Sequence, residues 1–523
     1  MNILTNYEKQ ISAFFYDNKN FLCSILPKIP STCPQNIVFV SILFLIVLVT
    51  HLVACEPIWA FEVNTHRQIT EKAIEKVEST LNSYLVDNLG LEGGLNASLP
   101  GGTPRELMIQ GSDFEDNGFR SANHFHDPIS NDGWEGNESA IAWGLRPIGA
   151  QAGDESWSWN DAREYYFKGL TLPTKNEREE QWGKLFRALG QFMHLLQDQA
   201  SPAHVRNDPH ISFGGIGDTD GLHEFMESRD VATYVGLGII DPDSLMLEEA
   251  HQTQVVPVAN LFDRNQYTGS NPEVSLGGRA GLAEFANANF FSDDRIPGQN
   301  ISSFSFRPYP YPSLSELIPA PSPSPYLTLP RLGSAPFPGA RVAKYTGNQA
   351  LAKFTLAHLQ YDLIGQLQLD DAVYDAYSSH LIPRAVGYSA AVLDYFFRGA
   401  LQIAQSEFVV TGQLQPGVIC DPIPTEDVGG LDVQFTIPSD LAFVGNVSLY
   451  YEKSDGARIL GDHLGNPSSG QVLSLGASIP HGQVPNPVRW YVVLEGHAGP
   501  GAQEPRAVLA QTGLAKWHFV CLF

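Results

Sequence analysis

Two pairs of side chains set four residues apart, His194 with Asp198 and His223 with Glu227, carry the first chemical signal in this sequence. On a helix, residues i and i+4 lie on one face about one turn apart, so each pair can offer two ligands to one ion. His204 falls between the two pairs. Imidazoles and carboxylates without thiolates suit Zn²⁺ in a catalytic site, where open positions bind water, better than a structural zinc, which favours cysteine. The spacing predicts a metal centre.

The element that must position the first pair is legible. Trp182, Leu185, Phe186, Leu189, Phe192, Met193 and Leu196 recur at three- and four-residue intervals, the period of a packed helix, until Pro202 interrupts it. A second set of metal-type residues lies upstream, in Gly111-Ser112-Asp113-Phe114-Glu115-Asp116 and in Asn123-His124-Phe125-His126-Asp127-Pro128, with Asn64-Thr65-His66 earlier still.

In this order the segments resemble the zinc-dependent phospholipases C of bacteria, which share a trinuclear-zinc helical fold with the single-strand-specific nucleases of fungi and plants. The resemblance covers Asn64 to Glu227 and implies that Asp113, His124, His194 and Asp198 hold one zinc and that His204, His223 and Glu227 hold a second. It also implies a third, held by His66, by Asp198 as a bridging carboxylate and by the amino group and carbonyl of a mature N-terminal residue, for which Phe61 is the candidate. Asp113 is implied to be both a ligand and the general base. Neighbouring zinc ions lower the pKa of water and polarise a phosphoryl group, so the chemistry expected is phosphodiester hydrolysis. Phe114 and Phe125 are the aromatic candidates for substrate contact, whereas Ser121, three residues before His124, departs from the family's aromatic. Glu115 and Asp116 are candidates for hydrogen bonds to a metal-bound histidine. His126, His210 and His251 are expected to stay outside the metal set, His126 because alternation in an extended segment turns it away from His124, and His210 and His251 because their polar, turn-rich surroundings suit surface positions.

Residues 1–60 form a targeting region whose apolar run, 37–54, is just long enough to span a bilayer. Cleavage after Ala60 would free Phe61; Leu52-Val53-Ala54-Cys55 resembles a lipobox that would acylate Cys55; an uncleaved anchor is the third reading. All three imply export, to the exterior or the periplasm. Of the five cysteines, only Cys420 and Cys521 lie in the body of the chain, and they are disulfide candidates.

The net charge of −25 argues against a general nucleic-acid-binding surface, since polyanion affinity rests on Lys and Arg. The overall expectation is a mainly α protein: a zinc-dependent helical catalytic domain over 61–407 with a Pro-rich insertion at 308–338, then a small β-sandwich-like accessory domain over 408–523. Apolar periodicity predicts further helices from His66 to about Tyr84, from Trp157 to Leu170, over 351–369 and over 385–405, while the proline run is expected to form neither helix nor central strand. The function expected is an exported phospholipase C acting at phospholipid. Two alternatives remain: a single-strand nuclease or 3′-nucleotidase on the same metal core, and a non-catalytic zinc-binding surface protein.

Overall fold

A computed structural model describes residues 63–522 apart from short stretches, the longest of them 297–308 and 347–366. The targeting region, Phe61, Cys420, most of the helix expected over 351–369, His210 and the side chains of His223 and Cys521 lie outside the described residues.

The ligand-bearing half is helical. Helix α1 (Val63–Ser83) buries Ile69, Ala73, Ile74, Val77 and Leu81 along one face. Asn64 and Thr65 lie inside this helix and do not cap it. Helix α2 (Pro104–Phe114) starts at a capping box between Thr103 and Glu106, with Pro104 at the first position, where its missing N–H costs nothing. Helix α3 (Trp159–Thr171) and helix α4 (Lys175–Asp198) open on the same device, from Ser158 with Asp161 and from Thr174 with Glu177. Helix α2 lies hard against α4. A Cβ on Gly111 would stand 2.2 Å from the Arg187 carbonyl and one on Gly190 2.0 Å from that of Met108, so only glycine permits this approach. Short helices α5 (Pro202–Val205) and α6 (Gly221–Glu227) follow, with the two-residue strands β1 (Ser212–Phe213) and β2 (Ile216–Gly217) between them. Among the described residues no helix is long and apolar enough to cross a membrane.

The Pro-rich run corrects one expectation. It carries strands β3 (Ile318–Pro319) and β4 (Tyr326–Thr328), which join β5 (Arg341–Tyr345) and β6 (Leu367–Gln368) in a sheet of order β3-β4-β5-β6, so β4 is a central strand. Its three residues sit between Pro325 and Pro330 and keep their N–H groups, which is why a proline-dense sequence still pairs on both sides. Leu317, Leu327, Leu329 and Leu332 join the helical core, so the insertion is built into the domain.

The helix expected over 385–405 is displaced. Helix α7 runs Asp371–Phe396, with Pro383 in its interior, and strand β7 (Gln402–Gln413) has begun by Gln402. Beyond it come β8 (Asp421–Pro422), β9 (Val428–Thr436), β10 (Val444–Glu452), β11 (Arg458–Gly465), β12 (Val472–Pro480), β13 (Val488–Ala498), β14 (Glu504–Ala515) and β15 (Trp517–Leu522). They form two sheets, β11-β10-β13-β14 and β12-β9-β7-β15, with β15 parallel to β7. Val492, Leu494 and Leu509 of the first share an apolar core with Phe408, Val433 and Ile479 of the second.

The alternate residues of β13 and β14 turn the other way. Tyr491, Val493, Val508 and Ala510 belong to the helical core, which buries β13 and β14 on both faces. Charge reinforces that seam. Arg163 on α3 reaches Glu504 at 3.3 Å, Tyr395 donates to the same carboxylate at 2.8 Å, and Arg398 pairs with it as well. Helices and sheets accordingly form one compact unit.

Candidate metal centre

The last turn of α4 supplies both members of the first pair, His194 and Asp198, and both are fully buried. Asp198 is the hub. One of its oxygens, Oδ1, lies 3.2 Å from His66 Nε2; the other, Oδ2, lies 2.8 Å from His124 Nδ1, 3.2 Å from His194 Nε2 and 4.0 Å from His204 Nδ1. Four imidazoles from α1, the loop after α2, α4 and α5 thus surround one carboxylate.

A second carboxylate enters, and it is Asp116. Its Oδ1 stands 3.4 Å from His194 Nε2 and 3.5 Å from His124 Nδ1. Two groups have ligand atoms mutually within 4.8 Å, His66 with Asp116 and His194, and His124 with His194 and Asp198. Asp113 belongs to neither. It occupies the last turn of α2 and its Oδ2 accepts from Arg67 Nη1 at 2.7 Å, while Oδ1 is buried without a donor. Glu227 is exposed on α6 and also lies outside both groups.

The ring nitrogens turned away from the carboxylates are held. His66 Nδ1 donates to Gln197 Oε1 at 2.8 Å, and the amide of Gln197 is oriented by donating to Thr70 Oγ1 at 2.9 Å. His194 Nδ1 donates to the Ser112 carbonyl at 2.6 Å, a contact that the glycine-mediated approach of α2 and α4 makes possible. Such outer hydrogen bonds fix the tautomer and leave the other nitrogen as a lone pair for an ion.

Supporting contacts reach the loop that carries His124. Its carbonyl accepts from Gln199 Nε2 at 3.1 Å, and the neighbouring Phe125 stacks on the His204 ring with centroids 4.2 Å apart. Phe125 is fully buried, so it supports the His204 ring instead of lining a binding surface. Phe114 is exposed, with the Arg187 guanidinium 4.4 Å from its ring centre. His126 does turn away from the cluster and donates from Nε2 to Asp263 Oδ2 at 2.8 Å. His251 is buried too, donating to the Asp263 carbonyl at 2.8 Å, which corrects the surface position expected for it.

No protein-family model matches this sequence, and no curated protein matches it either. The site must be read from its own chemistry.

That chemistry favours positive charge. Burial pulls His194 down, yet the carboxylates of Asp116 and Asp198 outweigh it and hold the ring well above the usual histidine range. Burial pushes Asp198 up, but His194, His204 and His124 draw it well below the carboxylate range. His66 is lowered, by burial first and then by the nearby His194. Asp113 is raised to about 6, because burial outweighs the pull of Arg67.

Both oxygens of Asp116 and both of Asp198 are buried without a donor in hydrogen-bonding geometry. Buried carboxylates demand a counter-charge, and several inward-facing ring nitrogens beside them make a cation the natural one. The buried His and Asp groups lie at ligand distance and could bind a metal ion.

Reading the sequence set Asp116 behind a histidine, whereas it belongs to the cluster itself, and missed Gln197 and Ser112. The missing signal was the end of α2: Asp113 is helical and Asp116 follows in the turn beyond it, which swings the later carboxylate toward His194.

Proposed function

We propose that this protein is an exported zinc-dependent phosphodiesterase of the phospholipase C kind, hydrolysing a glycerophospholipid to diacylglycerol and a phosphorylated headgroup. One observation carries the reading: the His66, His124 and His194 rings converge on Asp198, and the outward nitrogens of His66 and His194 are pinned by hydrogen bonds. A donor set of imidazole and carboxylate without thiolate fits zinc, with Asp198 and Asp116 positioned to share ions among His66, His124, His194 and His204. When bound, zinc would supply Lewis-acid polarisation of a phosphoryl oxygen and a lowered pKa for water.

The chain's own residues supply the rest. Asp113 Oδ1, buried beside the cluster, is the atom to take the proton from an attacking water, and Arg67 Nη1 holds the other oxygen of that carboxylate in place. Arg67 is half exposed and presents a cation to an anionic substrate. Phe114 is an exposed aromatic backed by the half-buried Arg187 guanidinium on α4, suited to contact the rest of the lipid.

The deciding experiment measures release of phosphorylated headgroup from phosphatidylcholine and phosphatidylethanolamine vesicles by the zinc-loaded protein, with and without a chelator. Release that the chelator abolishes supports the proposal. No release, together with chelator-sensitive cleavage of single-stranded nucleic acid, would transfer the same centre to the nuclease reading; inactivity on both would leave a zinc-binding surface protein.

A further inference from the structure

His66 and His194 each have one nitrogen facing the carboxylates and one facing away, and the outer partner is neutral: the Gln197 amide and the Ser112 carbonyl. His124 differs. Its Nδ1 faces Asp198 and Asp116, and its Nε2 faces Glu115 Oε1 at 3.8 Å. Glu115 is fully buried, and nothing in the reaction proposed above uses it.

This carboxylate accepts three hydrogen bonds from two side chains. Trp143 Nε1 donates to Oε1 at 2.8 Å; Arg120 donates to Oε2 from Nε at 3.0 Å and from Nη2 at 2.7 Å. Arg120 is itself fixed, since Nη2 also donates to Gln151 Oε1 at 2.9 Å and the guanidinium lies 5.1 Å from the centre of the Trp143 ring. Gln151 in turn accepts from the Trp157 backbone at 2.8 Å and donates to the Trp143 carbonyl at 2.9 Å. A buried pair of this kind is a poor source of stability, because desolvating both charges offsets their attraction. Its value lies in orientation.

We infer that Glu115 is a positioning residue for the metal centre: clamped by Arg120 and Trp143, its carboxylate stands 3.8 Å behind Nε2 of His124, longer than a hydrogen bond, and its charge orients that ring with Nδ1 inward, so that it sets the affinity of the site for its ion. The inference rests on the metal reading above. Carboxylates behind metal-bound histidines act in this way generally, and their loss weakens metal binding about 10- to 100-fold.

The test is zinc binding by competition with a chromophoric chelator, alongside the visible absorption spectrum of the Co²⁺-substituted protein, for the wild-type chain and for Glu115→Gln. The variant keeps the shape of the side chain and removes its charge. Zinc affinity is expected to fall about 10- to 100-fold, with a shifted Co²⁺ spectrum reporting a changed ligand field, which a merely structural residue would not produce. Because Glu115→Gln leaves Arg120 buried and unpaired, the double variant Glu115→Gln/Arg120→Met removes both charges together and is expected to show the same loss. Wild-type affinity and an unchanged spectrum in the double variant would overturn the inference while leaving the metal reading intact. If the wild-type chain itself takes up no zinc, both fall together.

Discussion

At the scale of single residues, the proposed function gives the two neighbouring aspartates separate tasks, Asp116 at the ion and Asp113 as the base. Asp116 is buried at 3.4 Å from His194 Nε2, whereas Asp113 is tied to Arg67. Asp116→Asn is therefore expected to cost zinc affinity at least as heavily as loss of an outer partner, ~100-fold. Asp113→Asn should retain its zinc, measured by elemental analysis, while losing turnover on lipid vesicles by roughly 100-fold or more, the scale of a missing general base. Full activity in Asp113→Asn would remove it from the base role. The sequence made His194 and Asp198 readable because seven apolar residues on the same helix fix its rotation. It made the aspartates ambiguous because the rotation of α2 is set by Gly111 meeting the Arg187 carbonyl on another helix, a contact between residues far apart in the chain.

At the scale of elements, helix α7 was the hardest to place. Pro383 normally ends a helix, yet here 26 residues run through it, buried along most of their length. Burial overrides the lost hydrogen bond, and periodicity shows only the half beyond 385 and misplaces its bounds, because apolar residues occupy nearly every face. The strands were easier: β9 alternates exposed and buried along its length, as Leu431, Val433 and Phe435 suggest from sequence alone. Burial inside α7 has a pH signature. His380 is lowered to about 4, by burial first and then by Arg384, against 6.5 for a free histidine. A depressed folded pKa means that the neutral ring stabilises the fold above pH 6.5, and this stability is lost as the pH falls toward 4. The contribution is roughly 3 kcal/mol for a shift of this size. Denaturant titrations at pH 7 and pH 4 should show that loss in the wild type and not in His380→Gln; identical pH dependence in both would exclude this assignment. The caps are a simpler test. Thr174→Ala, which breaks the capping box of the ligand helix, should lower stability by about 1 kcal/mol in the same titration.

At the scale of the whole molecule, the β region is less separable than its sequence suggests. The change of pattern near Phe408 reads as a boundary, but Tyr491, Val493, Val508 and Ala510 belong to the helical core, and Glu504 is buried between Arg163 and Arg398. These contacts join residues too distant in sequence for any local pattern to reveal. Burial pushes Glu504 up, yet Arg398 and Arg163 hold it below the usual carboxylate range. Glu504→Ala leaves a buried guanidinium uncompensated and should cost about 3–5 kcal/mol, read as a lower midpoint of unfolding by tryptophan fluorescence. A loss below about 1 kcal/mol would show that the seam holds through its apolar contacts alone. The two-faced burial of β13 and β14 also sets an order of events during synthesis. The ribosome delivers α1 and its His66 long before these strands, so the first-made helices must wait, with part of their apolar face open to water, for a wall encoded far downstream. Long-range closure of this kind is slow. A nascent chain therefore has an interior still lacking its last layer.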